Sequence, residues 1–237
     1  MLDSWVQCQT VCPRKFWSLW HGSRSLTRST ALKNIRVVCR GVSPLMMHAM
    51  SEAELEALRT KVALQVAYDR PATVVAQERL YCNVLNGGEI GLPTENLLAA
   101  LVNAGRSVKL TGRSKVSTAK TTEIYSFMAL QESFLPLRVV DTDGNIRNGE
   151  EPKWVVDKRR GVLHNKGEQT TVCITRPKFA EWGFVVTVEF DDTVVNEGTV
   201  RQLFDKAGTS QGLCSFRPSC KGPFGRFKVV KWELLGA

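Results

Sequence analysis

Residues 184 to 190 read Phe-Val-Val-Thr-Val-Glu-Phe, and Phe184, Val186, Val188 and Phe190 fall at every second position. A period of two places all four on one face of an extended strand, which must lie against a core. Beyond Asp191-Asp192, Asn196 is placed to cap a helix. In that helix Val200, Leu203, Phe204 and Ala207 recur at i, i+3, i+4 and i+7, and Gly208 is the expected left-handed stop. After a glycine-rich loop, RFKVVKW returns as a strand. This order of strand, helix, loop and strand predicts an α+β unit with helices covering one face of a sheet.

Upstream, LKNIRVVCRG (32–41) reads as a first strand ending at Gly41. Ser51 and Glu54 have capping-box spacing ahead of Leu55, Leu58, Val62 and Val66, which predicts an amphipathic helix over 52–67. A short strand is expected at 80–84 with a turn at Asn86-Gly87-Gly88. A second helix starts at Pro93-Thr94, carries Leu97, Leu98, Leu101 and Val102, and ends at Gly105. Residues 123–141 and 154–176 read as strands and hairpins, with turns at Asp143-Gly144 and Asn148-Gly149.

The sequence has 237 residues, 43% of them hydrophobic and 23% charged, which is ordinary usage for a folded chain. We read 32–237 as a single α+β domain. Residues 1–31 hold Arg14, Lys15, Arg24 and Arg28 against Asp3 alone, with three of the six tryptophans and no sustained period. That stretch is expected to be a disordered arm or a non-native extension outside the fold. No apolar run reaches the roughly 18 residues of a membrane span. The seven cysteines contain no Cys-x-x-Cys pair, so neither zinc nor another metal is expected, nor any cofactor. Cys39 and Cys173 lie in apolar runs where a free thiol acts as a small hydrophobe. Cys214 and Cys220 flank a loop at a separation that allows pairing. A reducing compartment is expected, the cytoplasm of a bacterial host cell.

Three histidines leave little room for catalysis. His21 lies in the extension, and His48 and His164 lack any neighbouring nucleophile or metal signature. Asp191-Asp192 reads as turn chemistry before a helix rather than as a carboxylate pair. The expectation is that the chain is no enzyme, with a nuclease built on Asp191 and Asp192 as the weakest of three alternatives.

Charge points elsewhere. The net charge of +9 favours polyanionic partners. Residues 105–122 carry Arg106, Lys109, Arg113, Lys115 and Lys120 without one acid, and Lys158, Arg159, Arg160 and Arg176 stand at the ends of the second hairpin segment. The loop TSQGLCSFRPSCKGPFGRF (209–227) joins Gly212, Gly222 and Gly225 to Arg217, Lys221 and Arg226, with Phe216, Phe224 and Phe227 between them. Glycines let backbone amides approach phosphate, cations neutralise it, and exposed rings stack on unpaired bases. The same residues also suit a structural loop whose rings seal a core. Phe179 and Trp182, in TRPKFAEW, suit a locked corner better than a base site.

Two resemblances follow from these residues. GEIGLPTENLLAALVNAGR (88–106) resembles the Pro-started helix of RAMP-superfamily proteins, the Cas7-like backbone subunits of CRISPR effector complexes, and the loop at 208–227 is similar to their glycine-rich loop. The whole body also resembles an uncharacterised bacteriophage and prophage family through SPLMMH, the Arg-Pro-x-Phe-x-x-Trp segment and the closing GL-x-x-FRP and G-x-FGRF motifs. Thr94-Glu95-Asn96 stands where RAMP proteins prefer Gly-Ser-Ser, and Cys214 replaces a glycine. The resemblance implies an RRM-related, ferredoxin-like core with β-hairpin insertions that binds single-stranded nucleic acid, as a homo-oligomer along the strand. Aspartate-based RNA cleavage in that family matches no carboxylate of this chain. The leading expectation is therefore a non-enzymatic binder of single-stranded RNA or DNA, in which the basic loop at 106–120, the Lys158–Arg160 cluster and the loop at 216–226 line one groove. The alternative is a phage structural or assembly protein whose basic surface meets protein partners.

Overall fold

The computed structural model describes residues 32–62, 70–83, 87–110, 112, 114–165 and 168–235, without the side chains of 163–165 and 168. In chain order the elements begin with β1 (Leu32–Gly41), β2 (Leu45–Met46), α1 (Glu52–Thr60), α2 (Ala72–Gln77), β3 (Cys82–Asn83) and β4 (Glu89–Pro93). There follow α3 (Thr94–Ala104), α4 (Ile124–Phe127), β5 (Met128–Leu130), β6 (Phe134–Pro136), β7 (Trp154–Asn165) and β8 (Glu168–Phe179). The last are β9 (Gly183–Asp191), α5 (Glu197–Lys206) and β10 (Phe227–Leu235). Antiparallel sheets and helices together make the α+β class expected from the sequence.

The alternating run at 184–190 becomes β9, inside a four-stranded sheet of order β10-β1-β9-β5 with every neighbouring pair antiparallel. Pairing of Val37 with Val186 and Ile35 with Val188 brings the apolar sets of β1 and β9 onto one face. That face buries Ile35, Val37, Cys39, Phe184, Val186, Val188 and Phe190 in one cluster with Leu97, Leu101 and Ala104 of α3 and Val200, Leu203 and Phe204 of α5. Each fully buried large side chain contributes about 1.5 to 3 kcal/mol. The opposite face carries Asn34, Arg36, Arg40, Thr187 and Glu189, and no aromatic side chain among the described residues. The segment before β7 covers one end of it: the Arg138 amide donates to the Gly183 carbonyl at 2.9 Å and Arg40 Nε donates to the Val140 carbonyl at 3.1 Å.

β7 and β8 form a twelve-pair antiparallel ribbon, extended at its base by β2; β3, β4 and β6 make a third small sheet. Phe179 and Trp182 are buried at the corner between ribbon and main sheet, where Trp182 Nε1 donates to the Ser43 carbonyl at 2.7 Å. They are core residues, as their spacing suggested.

Four expectations need correction. The helix expected over 52–67 is described for 52–60, with Lys61 left-handed at its C-cap. Residues 63–69, including Val66, lie outside the described residues. Its cap is as read, but Leu55, Leu58 and Val62 are exposed, because no element among the described residues packs on that face. Gly208 is not a left-handed stop. It sits in a π-helical turn over Ala207–Gln211, and its missing Cβ is needed because the Phe227 carbonyl oxygen lies 2.1 Å from where that atom would be. The positive-φ stop is Gly212, at φ 70° but with an extended ψ of 173°. Cys173 is exposed on the ribbon, whereas Cys39 is buried and its thiol pushed up by desolvation. Cys214 and Cys220 are both free, the first buried with its thiol pushed up to about 12, the second exposed.

Candidate nucleic-acid interface

The loop between α5 and β10 is a rigid plug. The Leu213 amide donates to Gly225, the Ser215 amide to Met46 and the Gly225 amide to Pro44, each a carbonyl acceptor at 2.8–2.9 Å. The glycines serve this packing: a Cβ on Gly222 would lie 1.8 Å from the Phe216 carbonyl oxygen, and one on Gly225 2.1 Å from that of Leu213. They are consumed inside the loop rather than open to a phosphate. Phe224, expected as a stacking platform, is only 9% exposed, and the Arg159 guanidinium sits 4.8 Å from its ring centre. Phe227 is buried in the core. Phe216 differs from both. Its ring is 38% exposed, 5.9 Å from Phe224, and its backbone is held left-handed at φ 53°. A bulky side chain pays a steric penalty there and persists only when its surroundings dictate the conformation.

Strand alternation divides the Lys158-Arg159-Arg160 cluster. Arg159 lies on the ribbon face that also carries Asp157, Arg176 and Lys178, while Lys158 and Arg160 lie on the reverse face with Thr175 and Cys173. The three consecutive cations therefore do not line one groove, which corrects the sequence reading. On the first face, Asp157 accepts from Arg159 at 2.6 and 3.2 Å and from Lys178 at 3.4 Å, and these partners hold its carboxyl below the ordinary range. Arg176 is half-buried and forms none of the ion pairs among the described residues. Enclosure and then the neighbouring Arg79 guanidinium destabilise its charge; Asp157, its cross-strand partner, opposes them, and Arg159 adds to them. Its Nε donates to His48 Nδ1 at 3.3 Å. Arg79 is paired with Glu54, whose carboxyl is held down to about 2 by that arginine and the Ser51 cap.

A residue the sequence reading passed over joins this cluster to the loop. The Tyr81 hydroxyl donates to the His48 carbonyl at 3.3 Å, has Asn96 as a second partner and lies within electrostatic reach of Arg217. A single tyrosine between α2 and β3 carries no sequence signal, since its place depends on tertiary contacts. Arg217 is fixed by its own loop, donating to the Cys214 carbonyl at 2.6 Å and to Ser219 Oγ at 2.9 Å. From there a narrow crevice lined by Asn96, Asn103, Gln211, Arg217 and Ser219 leads into a depression lined by Asn103, Arg106, Lys206, Ser210 and Gln211. Arg106 and Arg217, 111 positions apart, thus line adjoining depressions that share Asn103 and Gln211.

Other expected residues lie elsewhere. Lys109 and Lys115 bridge as antiparallel partners at the base of their loop, and Lys115 lines a separate cleft with Leu110, Thr118 and Glu123. Lys120 is exposed in the turn that Thr118 caps. Lys221 is left-handed and exposed just after the short turn Pro218–Cys220, and Arg226 is exposed where its amide donates to Ser43 Oγ at 3.0 Å. Arg113 and the His164 side chain lie outside the described residues, as does His21. Asp191 and Asp192 do not converge on a site: Asp191 accepts from the Thr193 amide and hydroxyl at 2.8 and 2.6 Å, and Asp192 pairs with Lys33 at 2.9 Å. Among the described residues no helix is long and apolar enough to cross a membrane.

No protein-family model matches the sequence, and no curated protein matches it either. Among solved structures the chain is similar to one chain in the cryo-EM structure of the Type III-B Cmr-beta bound to cognate target RNA, with a TM-score of 0.44 and 10% identity. The likeness covers 88% of this chain and 62% of that one, so this chain spans less than two thirds of its neighbour's length. It is a distant structural likeness, without a family assignment.

Proposed function

We propose that this protein binds single-stranded nucleic acid without catalysing a reaction, along the track from Arg106 and Lys206 past Arg217 to Arg79, Arg159 and Arg176. The observation that carries the reading is Arg176: a half-buried guanidinium that forms none of the ion pairs among the described residues, set beside two more and opposite an Asp157 already paired with Arg159 and Lys178. Like charges are brought together at a cost that an incoming anion relieves. Six cations (Arg70, Arg79, Arg159, Arg176, Lys178 and Arg217) share the region with three carboxylates (Glu54, Glu78 and Asp157), leaving an excess that suits backbone phosphates. Phe216 supplies the preference for single strands, because an unpaired base can stack on its exposed ring for roughly 1 to 3 kcal/mol.

The core is read as ferredoxin-like. Numbered by chain order among themselves, β1, β5, β9 and β10 lie 4-1-3-2 across the sheet, with α3 between the first two and α5 between the last two. Proteins that bind RNA on such a sheet use aromatic rings on its open face. This open face has none among the described residues. Binding is therefore assigned to the loop and ribbon side.

The test is fluorescence anisotropy of the full chain with labelled 20-mer single-stranded RNA, single-stranded DNA and duplex DNA across salt. Four to six phosphate contacts give a slope of log K on log salt of about −3 to −4, roughly a hundredfold loss of affinity between 50 and 200 mM. Tight binding that favours single strands is expected. Equal affinity for the duplex, or no binding at 50 mM salt, overturns the reading.

A further inference from the structure

His48 is the one histidine whose side chain is described, and it stands where the charge cluster meets the plug. Its imidazole is neutral when Nδ1 accepts the Arg176 Nε–H, since a protonated ring offers no acceptor. The segment around it is pinned: the His48 carbonyl accepts from Tyr81, and the Ala49 amide and carbonyl bond to the Arg79 carbonyl and guanidinium at 3.0 and 3.1 Å. The ring nevertheless keeps an exposed edge. The groups that face it are Arg176 from β8, Arg79 from the turn after α2 and Glu54 from α1. Arg159 and Asp157 of β7 stand one step behind, against Arg176.

Resting on the reading that this track holds nucleic acid, we infer that one backbone phosphate seats against Arg176 and His48, and that His48 takes up a proton from solvent as the phosphate binds. The free site resists that proton. Partial enclosure of the ring, then Arg176 and Arg79, lower the affinity of His48 for it. A phosphate between the guanidiniums cancels their field and gives Arg176 Nε a new acceptor, so Nδ1 is free to carry a proton and donate to the same anion. Binding and protonation then favour one another by the same factor, because linkage is reciprocal.

The neighbouring groups leave this effect visible. Glu54 is held down to about 2, Asp157 lies below the ordinary carboxylate range, Cys214 is pushed up to about 12, and Tyr81 is raised by burial. Glu54, Asp157, Cys214 and Tyr81 therefore keep their charge between pH 5.5 and 8, which leaves His48 as the group of this cluster open to the proposed proton. A phosphodiester does not titrate there either.

The experiment uses the full chain and a labelled oligothymidine 20-mer, whose bases carry no charge over this range, at fixed salt from pH 8 to 5.5. The wild-type affinity is expected to rise about fivefold to tenfold on acidification, and that of His48→Gln by less than about twofold. Glutamine keeps an acceptor for Arg176 but cannot titrate. Calorimetry of the wild type at pH 6.5, in two buffers of different ionisation heat, is expected to show net proton uptake on binding, and this arm needs no variant. Binding with a flat pH profile and no proton uptake overturns the inference while leaving the binding reading intact. An equal rise in His48→Gln overturns it too, by placing the proton elsewhere. No binding at any pH overturns both.

Discussion

Replacing Phe216 by alanine and, separately, by glycine tests whether the plug holds its exposed ring under strain. At φ 53° any residue with a Cβ carries a penalty of about 1 to 2 kcal/mol that glycine escapes. The ring is 38% exposed, so truncation forfeits a little over half of the roughly 1.5 to 3 kcal/mol for full burial of a phenylalanine, about 1 to 2 kcal/mol. Phe216→Ala loses that burial and keeps the strain, and should be destabilised by about 1 to 2 kcal/mol. Phe216→Gly loses the same burial but sheds the strain, and after its greater unfolded-state entropy should lie within about 1 kcal/mol of wild type. The two variants thus reverse the usual order, in which alanine stabilises a loop relative to glycine by about 0.4 to 1 kcal/mol. Urea unfolding followed by circular dichroism reads the order, and anisotropy with a single-stranded 20-mer reads the function. Both variants should lose about 5-fold to 150-fold in affinity, the equivalent of one stacked base. A more stable alanine variant would refute the strain argument, and unchanged affinity would refute the stacking role.

Three further outcomes follow from the geometry. Charge reversal of Lys158 and Arg160 together should weaken binding far less than reversal of Arg159 and Arg176, because the first pair faces away across the ribbon; equal losses in anisotropy would contradict the facial division. Gly208→Ala should cost about 1 to 3 kcal/mol in urea unfolding through its clash with the Phe227 carbonyl, and a neutral result would mean the turn relaxes freely. Glu54, held down to about 2 from an ordinary 4.5, contributes stability that is present above pH 4.5 and is lost as pH falls toward 2. With its side chain 30% exposed, solvent screening leaves about 1 to 2 kcal/mol, so Glu54→Gln should flatten the acid limb of the stability profile.

The sequence made the sheet and its two covering helices legible because their burial is written as period. Phe184, Val186, Val188 and Phe190 had one arrangement open to them, and Val200, Leu203 and Phe204 another, and the cap residues Ser51 and Asn196 hold their helices as read. The site was legible only in part. Arg159 and Arg176 stood out as cations near the ends of the ribbon, yet composition could not say that Lys158 and Arg160 turn away, since that depends on strand parity. Among the three loop phenylalanines, only burial in the folded chain separates Phe216 from Phe224 and Phe227. Tyr81, Arg79 and His48 were invisible as partners because they are brought together by the packing of α2 against the ribbon. The same limit explains Gly208, where a carbonyl approaching from β10 asks for glycine without a left-handed backbone.

The most direct test of the central claim is the salt dependence of single-strand affinity for the wild type and for Arg159→Gln with Arg176→Gln. Each arginine that neutralises a phosphate on a single strand contributes about 0.7 to the slope of log K on log salt. The double variant should therefore bind more weakly with a slope shallower by about 1.4. A variant that keeps the wild-type slope and affinity would show that these guanidiniums meet no phosphate, and would contradict the account.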